Sequence, residues 1–448
     1  MGKKADVLVV GGGPAGIVSA VTARKYYPAK KILLMKNVEK GVIPCGIPYM
    51  FASLKDPDEN KLGNAALEKN NIDVVVDEAV EIDRSEKIVT TKNNQRFLFE
   101  KLILATGSEP IIPPIEGINK DGVYPIYKDM VYLKNLIEDI KKAKNILILG
   151  GGFIGVELAD EVSKIGNLNV YLVEMLPNIP ANSFDVEFST IAEETLKSKG
   201  VTLLTSIRLE KILGGERVEA VRLSDGRKIP ADNIILGVGG IPNTKLAANA
   251  GLDLGKGKGI WVDEYMRTTD PNIFAVGDCA SKRDFYTRKD APVMLASTAT
   301  AEARIAGANL YQLKVVRENK GTIATYSTYI DGKVLGSAGL TENTARKEGF
   351  EIVTGSADGV DKHPPTLPKA SNIKLKLIFS KKSGIILGGQ VAGGMSCGEI
   401  INLIGIAVQK RMSFVELETL QVATHPYLTS APTVYPVVLA AQNASVKM

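Results

Sequence analysis

At 448 residues the chain is too long for one ordinary hydrophobic core and points to two or three domains. Its 55 Lys and Arg against 50 Asp and Glu leave a net charge of +5 with no basic block and no aromatic-interleaved basic stripe, which argues against a nucleic-acid surface and suits an anionic small substrate. Three cysteines argue against a disulfide framework and for a reducing, cytoplasmic setting, and the two histidines, His363 and His425, lie at ligand spacing from no cysteine, so no metal site is expected.

The Met1-Gly2 start carries Asp6 where N-terminal acylation needs Ser or Thr, and no apolar stretch reaches the roughly 18 residues that a membrane span requires, so a soluble protein with no membrane partner is expected. Val7-Leu8-Val9-Val10 then reads as a buried parallel strand running into Gly11-Gly12-Gly13-Pro14-Ala15-Gly16 and a helix start. Spaced glycines of this kind permit a tight turn, approach of a pyrophosphate to the backbone, and close packing of helix on strand. The next strand, Ile32-Leu33-Leu34-Met35-Lys36, ends without the acid expected to hold a ribose. Either backbone groups hold that ribose or Glu39 substitutes.

Pro44-Cys45-Gly46-Ile47-Pro48-Tyr49 follows. Cys45 has no near neighbour to pair with, so its redox partner belongs to another molecule. Gly46-Ile47-Pro48 predicts a helix start directly after the thiol, whose dipole would lower the cysteine pKa. Leu102 to Gly107 reads as a later strand ending in a small-residue turn, Ala105-Thr106-Gly107, near the first nucleotide.

The pattern repeats about 140 residues on. Ile146-Leu147-Ile148-Leu149 runs into Gly150-Gly151-Gly152-Phe153-Ile154-Gly155, and Val170 to Val173 delivers Glu174 on schedule. Glu174 would repel a 2′-phosphate, and no arginine follows closely, so NADH is favoured over NADPH. Ile234 to Gly240 supplies the matching later strand and turn, with Gly239 near the second nucleotide. Beyond about residue 320, Ile323 to Leu340, Leu375 to Phe379 and Ile385 to Val391 read as strands and Cys397 to Gln409 as an apolar helix, with Pro364, Pro365 and Pro368 in an irregular connection. Cys279 and Cys397 read as core residues.

Together with Thr268-Thr269-Asp270-Pro271-Asn272-Ile273-Phe274-Ala275-Val276-Gly277-Asp278, these segments resemble the FAD- and NAD(P)H-dependent pyridine nucleotide-disulfide oxidoreductases over essentially the whole chain. The resemblance implies an α/β fold with two Rossmann-like nucleotide-binding domains plus a C-terminal α+β dimerisation domain. The FAD-binding domain would comprise residues 1–117 and 244–320, split around an NAD-binding domain at 118–243, with the dimerisation domain at 321–448. It assigns Gly11, Gly13, Pro14, Ala15, Gly16, Lys36, Ala105, Thr106, Gly107, Gly277, Asp278 and Ala296 to FAD. Gly150, Gly152, Phe153, Ile154, Gly155, Glu157, Glu174 and Gly239 go to the nicotinamide nucleotide, with Glu157 meeting its amide and Asp278 the flavin's ribityl chain. Ala296 to Gly307 resembles the helix whose start lies by the flavin ring.

Within that family the Cys45 segment is similar to the single-cysteine branch of coenzyme A disulfide reductases, NADH oxidases and polysulfide reductases. The two-cysteine branch has its second cysteine five residues on, where this chain has Met50. The resemblance implies a homodimer that passes electrons from NADH through FAD to Cys45 and reduces a small disulfide or polysulfide. The alternatives are an NADH oxidase, with Cys45 cycling through a sulfenic acid, and an electron-transfer reductase for a protein partner such as ferredoxin. His425-Pro426 is similar to the two-cysteine branch's C-terminal motif, where a histidine of the other subunit acts as acid and base, although Ser430 replaces its orienting glutamate. The tyrosines that coenzyme A disulfide reductases use instead have no match near Lys362 to Pro368, and Tyr427 and Tyr435 only approach the second position.

Overall fold

A computed structural model of the chain describes residues 3–180, 182–317 and 321–448. The Met1-Gly2 start and the domain boundary at residue 320 lie outside the described residues.

Three sheets organise the molecule. In the first, the strands run in the order Asp73–Val76, Ile32–Lys36, Lys3–Val10, Arg96–Leu104, Ile88–Thr91, Ala79–Asp83, and Ile273–Ala275 pairs in parallel with the end of Arg96–Leu104. The chain leaves this sheet after Leu104 and returns to it only at Ile273. Between them lies a second, all-parallel sheet in the order Val123–Pro125, Asn233–Leu236, Asn145–Leu149, Asn169–Val173, Thr202–Leu204. Its central strand Asn-Ile-Leu-Ile-Leu is buried from Ile146 on, as a strand covered on both faces requires.

The third sheet is antiparallel, in the order Thr325–Ile330, Lys333–Gly339, Ile386–Gly393, Asn372–Ser380, Ile352–Val360. Asp331-Gly332, both at positive φ, turn the first two strands into a hairpin. The helices Cys397–Lys410 and Pro436–Ser445 share one apolar core with this sheet. Ile352–Val360 is a strand that the sequence pattern does not single out: glycine and small residues break its alternation. The last helix needs that smallness, since a Cβ on Gly355 would lie 1.8 Å from the Ala440 carbonyl oxygen.

The second and third sheets are joined by a buried ionic cluster. Lys376 Nζ, with its side chain 6 % exposed, pairs with Asp185 at 2.7 Å and Glu342 at 3.2 Å, and with Glu187. Gln390 closes the cluster by donating to Asp185 and accepting from its backbone N–H. The ammonium and Asp185 are both desolvated, and each finds its counter-charge across the boundary between the two units.

Candidate active site

The two glycine turns fold alike. Gly11 (φ +124°) and Gly150 (φ +104°) leave their strands in a conformation that favours glycine. A Cβ on Gly16 would lie 1.9 Å from the Gly11 carbonyl oxygen, and one on Gly155 1.8 Å from that of Gly150, so the third glycine of each turn serves packing. The middle glycines differ in kind: a Cβ on Gly13 or Gly152 would meet nothing within 4 Å. Each caps its helix, Pro14–Tyr26 or Phe153–Ser163, with no side chain satisfying the first N–H groups. Open space in front of unsatisfied N–H groups is a cradle for a phosphate, and the residues present fit two dinucleotides. Gly152→Ala should therefore leave the melting temperature within about 2 °C while raising KM for the nicotinamide nucleotide roughly tenfold; an unfolded variant, or an unchanged KM, would contradict the assignment.

Pro14 and Ala15 open the first of these helices, and Ile154 follows Phe153 in the second. Ala105 donates its N–H to Val10, Thr106 its hydroxyl to the Asn243 carbonyl at 2.6 Å, and Gly107 takes φ +71°, so the turn beside the first cradle is tied to the returning chain. Gly239, at φ +101°, accepts from Ile111 N–H near the second.

Matching register puts Lys36 and Glu174 at the same place: Val10 pairs with Met35 and Leu149 with Val173, and each named residue follows. Glu174, 8 % exposed, accepts from the N–H of Gly151 at 2.6 Å and of Leu176 at 2.7 Å. Lys36, 6 % exposed, donates to the Glu39 carbonyl at 2.8 Å and Asn64 Oδ1 at 3.0 Å. Glu39 is itself exposed and meets Lys36 through its backbone carbonyl.

Cys45 is exposed, whereas Cys279 and Cys397 are buried. Its segment is a pair of short 3-10 turns, Pro44–Gly46 and Pro48–Met50, and the helix start expected after the thiol does not form. From Pro48 on, the N–H groups of Met50 and Phe51 reach the Ile47 and Pro48 carbonyls three residues back, at 3.1 and 3.2 Å, which closes 3-10 turns in place of an α-helix. The expected dipole activation is absent with it. Partial burial pushes the Cys45 thiol up, Glu157 and Asp278 push it further, and Lys128 and a backbone hydrogen bond oppose them.

Asn60 frames this turn, accepting from Ile43 N–H and donating to the Ile43 carbonyl at 3.0 Å and Met50 Sδ at 3.1 Å. Met50 is 2 % exposed and part of the core. The position of the missing second cysteine therefore faces inward.

Asp278 accepts from Ser108 Oγ at 2.8 Å, and Lys128 Nζ reaches Ser108 Oγ at 2.9 Å and Asp278 at 3.5 Å. The preceding Gly277 (φ +74°) is gripped from both sides. Its N–H donates to Glu302 at 2.9 Å, its carbonyl accepts from Lys282, and these two side chains form a buried pair at 3.5 Å. Ala296 begins the helix Ala296–Ala308, whose Ala299 packs against Gly277.

On the helix of the second glycine turn, Glu157 is largely buried and accepts from Thr328 Oγ1 at 2.8 Å, a residue of the third sheet. Burial raises its pKa to about 7, with Glu161 and Asp160 adding and Thr328 opposing. Four residues on, Glu161 takes the backbone N–H and hydroxyl of Ser53, fastening the segment after Cys45 to the same helix. Phe153 stacks on Tyr326 with ring centroids 4.9 Å apart. Tyr49 feels Glu157, Glu161, Asp160 and Cys45, and burial keeps it a phenol.

The structure thus brings Glu157 and Asp278 each within electrostatic reach of Cys45, draws in Tyr49 of the same motif, and adds Lys128, Ser108 and Thr328, which no motif marked. It does not bring His425 to them within one chain. That side chain is exposed, accepts from Tyr427 N–H at 3.3 Å, and belongs to a turn docked on His363, whose Nδ1 meets the Thr429 carbonyl at 2.9 Å. Ser430, in place of an orienting carboxylate, is buried and donates to the Val360 carbonyl.

A family model described as pyridine nucleotide-disulphide oxidoreductase matches residues 5–303, and that family's dimerisation domain matches residues 326–434. The chain belongs to this family. Among relatives of these oxidoreductases, a protein named NADH oxidase from Methanocaldococcus jannaschii is 32% identical, over 98% of this chain and 99% of that one. An NAD(P)H coenzyme A polysulfide/persulfide reductase from Pyrococcus horikoshii is 31% identical, over 87% of this chain and 88% of that one. The solved NAD-dependent persulfide reductase from A. fulgidus superposes with a TM-score of 0.90 at 31% identity, covering 98% of this chain and 83% of that one. This oxidoreductase is accordingly an NAD(P)H-dependent flavoprotein enzyme with FAD as its flavin. Among its described residues no helix is long and apolar enough to cross a membrane, and no group of three or more His, Cys, Asp or Glu could hold a metal ion.

Proposed function

We propose that Cys45 is the redox-active thiol of an NADH-dependent reductase of small disulfides or polysulfides, working as a homodimer. The observation that carries this reading is the exposure of Cys45 between the groups of the two nucleotide sites, while Met50 is buried and both other cysteines lie in the core. FAD would be held by residues 1–117 with 244–320, the nicotinamide nucleotide by 118–243. Asp278 and the first cradle would hold the flavin; Glu157, Glu174 and the second cradle would hold the nicotinamide nucleotide. When bound, the two cofactors supply the electron pair, delivered as hydride by NADH, that returns oxidised Cys45 to a thiolate.

The chain's own share is nucleophilic and acid-base. The Cys45 thiolate attacks one sulfur of the substrate, forming Cys45–S–S–R and expelling R–S⁻. Lys128, the cation that acts on the thiol, favours the ionised form. His425 of the second subunit is suited to give the leaving thiolate a proton, since an imidazole N–H can donate one. Exposed Met395, Ile406, Tyr427, Leu428 and Val434 on the C-terminal unit support burial of that face against a second copy.

The M. jannaschii relative favours a second reading, in which Cys45 cycles through a sulfenic acid while oxygen or peroxide is reduced. Intact-mass measurement after oxidant treatment without NADH separates the two. A substrate-derived thiol or sulfur added at Cys45 is expected; an added oxygen supports the oxidase, and no adduct at Cys45 with full turnover overturns both. Nucleotide choice is checked by rates. Glu174 beside a buried ribose site should give NADH at least a tenfold advantage in kcat/KM over NADPH, about 1.4 kcal/mol, and an NADPH advantage would contradict it.

A further inference from the structure

The two cradles share a glycine turn, a capping geometry and a strand register, yet differ at the residue placed to meet the adenosine ribose. In the second copy that residue is Glu174, a carboxylate that can only accept hydrogen bonds; in the first it is Lys36, an ammonium that can only donate. Both stems lie over the same turn position. A Cβ on Gly12 would be 2.7 Å from Lys36 Cβ and 3.0 Å from its Cδ, and a Cβ on Gly151 would be 3.1 Å from Glu174 Cβ and Cγ.

The Lys36 ammonium has three N–H donors. Two are spent on the Glu39 carbonyl and Asn64 Oδ1, and neither acceptor is an anion. Burial lowers the Lys36 pKa, Lys61 adds to that, and Glu39 opposes. A desolvated ammonium gains from a third acceptor, because each donor left unpaired retains its desolvation cost. A ribose hydroxyl can accept as readily as it donates, so the same sugar fits this site with the direction of its hydrogen bond reversed.

We propose that Lys36 holds the adenosine ribose of the first-site dinucleotide by donating its third N–H to a ribose hydroxyl, in place of the accepting carboxylate used in the second site. This rests on the reading of that site as the FAD site. The competing role is purely mechanical: through Glu39 and Asn64, Lys36 ties the excursion that carries Cys45 back to the sheet.

A binding cycle on the apoprotein distinguishes them. FAD and two analogues, lacking the 2′- or the 3′-hydroxyl of the adenosine ribose, are titrated into the wild type and into Lys36→Met, whose unbranched stem keeps the contact with Gly12. Lys36→Met should weaken FAD about tenfold, and removing the contacted hydroxyl should cost the wild type about tenfold but the variant less than twofold, a coupling of at least about 1 kcal/mol. Equal costs in both proteins, or no cost in the wild type, would overturn the proposal. Asn64→Ala, which keeps the ammonium, should retain the hydroxyl's cost, and its loss there would show that the strap and not Lys36 reads the ribose. Failure of the wild type to bind FAD at all would overturn the flavin reading itself, and this assignment with it.

Discussion

Cys45→Ser should retain its fold and its FAD and lose NADH-dependent disulfide or polysulfide turnover by roughly a thousandfold, about 4 kcal/mol of barrier. The hydroxyl that replaces the thiol neither ionises near neutrality nor forms a bond to sulfur that a two-electron reduction can reopen. Cys45 is exposed and sits in a turn framed by Asn60 and two prolines, so the substitution should alter stability by no more than about 0.5 kcal/mol. The half-reaction is the control: bleaching of the flavin by NADH should proceed at the wild-type rate. Turnover above a tenth of wild type would sink the thiol mechanism and favour delivery of electrons from the flavin to a partner protein.

Cys279→Ala and Cys397→Ala complete the comparison from the other side. Both sulfurs are fully buried, Cys279 against the Leu104 and Val276 carbonyls and Cys397 beside Gly393, and burial pushes the Cys397 thiol up to about 12. Such thiols are inert at neutral pH, so these variants should lose stability and keep their chemistry. The contrast assigns the redox role by where the sulfur lies, independently of any resemblance.

Much of this arrangement is legible in the residues because glycine constrains geometry locally. Gly11, Gly16, Gly150 and Gly155 are needed wherever a strand turns tightly into a helix, so the two nucleotide units announce themselves. The strand Ile352–Val360 is illegible for the opposite reason: its glycines and small residues answer to a helix more than 80 residues further along the chain, and no local pattern carries that requirement. The same division runs through the site. Cys45, Glu174 and Asp278 stand in recognisable segments, whereas Lys128, Ser108 and Thr328 become relevant only through contacts between distant parts of the chain. The proline pair around Cys45 misleads in an instructive way. Pro48 at a first helical position favours a helix, but the residues after it bond three residues back and stop at 3-10 turns.

The short turns leave Cys45 without a helix dipole and make the nearby carboxylates decisive. Glu157 titrates near neutrality because burial disfavours its charge, and its charge in turn raises the Cys45 thiol. Glu157→Gln fixes the neutral form, so the thiol pKa should fall and alkylation of Cys45 by iodoacetamide at pH 8 should quicken several-fold, with little change at pH 6, where wild-type Glu157 is mostly protonated. Stability gives a second readout whose sign is set by the same group. A carboxyl raised from its ordinary 4.5 to about 7 in the folded protein contributes stability that is fully present below about pH 4.5 and is lost as pH rises through 7. The loss is on the order of 3 kcal/mol, so Glu157→Gln should melt higher than wild type at pH 8 and close to it at pH 5. Alkylation rates with the same pH dependence in both proteins would show that Glu157 does not govern the thiol. A lower melting temperature at pH 8 would show that the charged form is stabilised, and that the Thr328 hydrogen bond outweighs its burial.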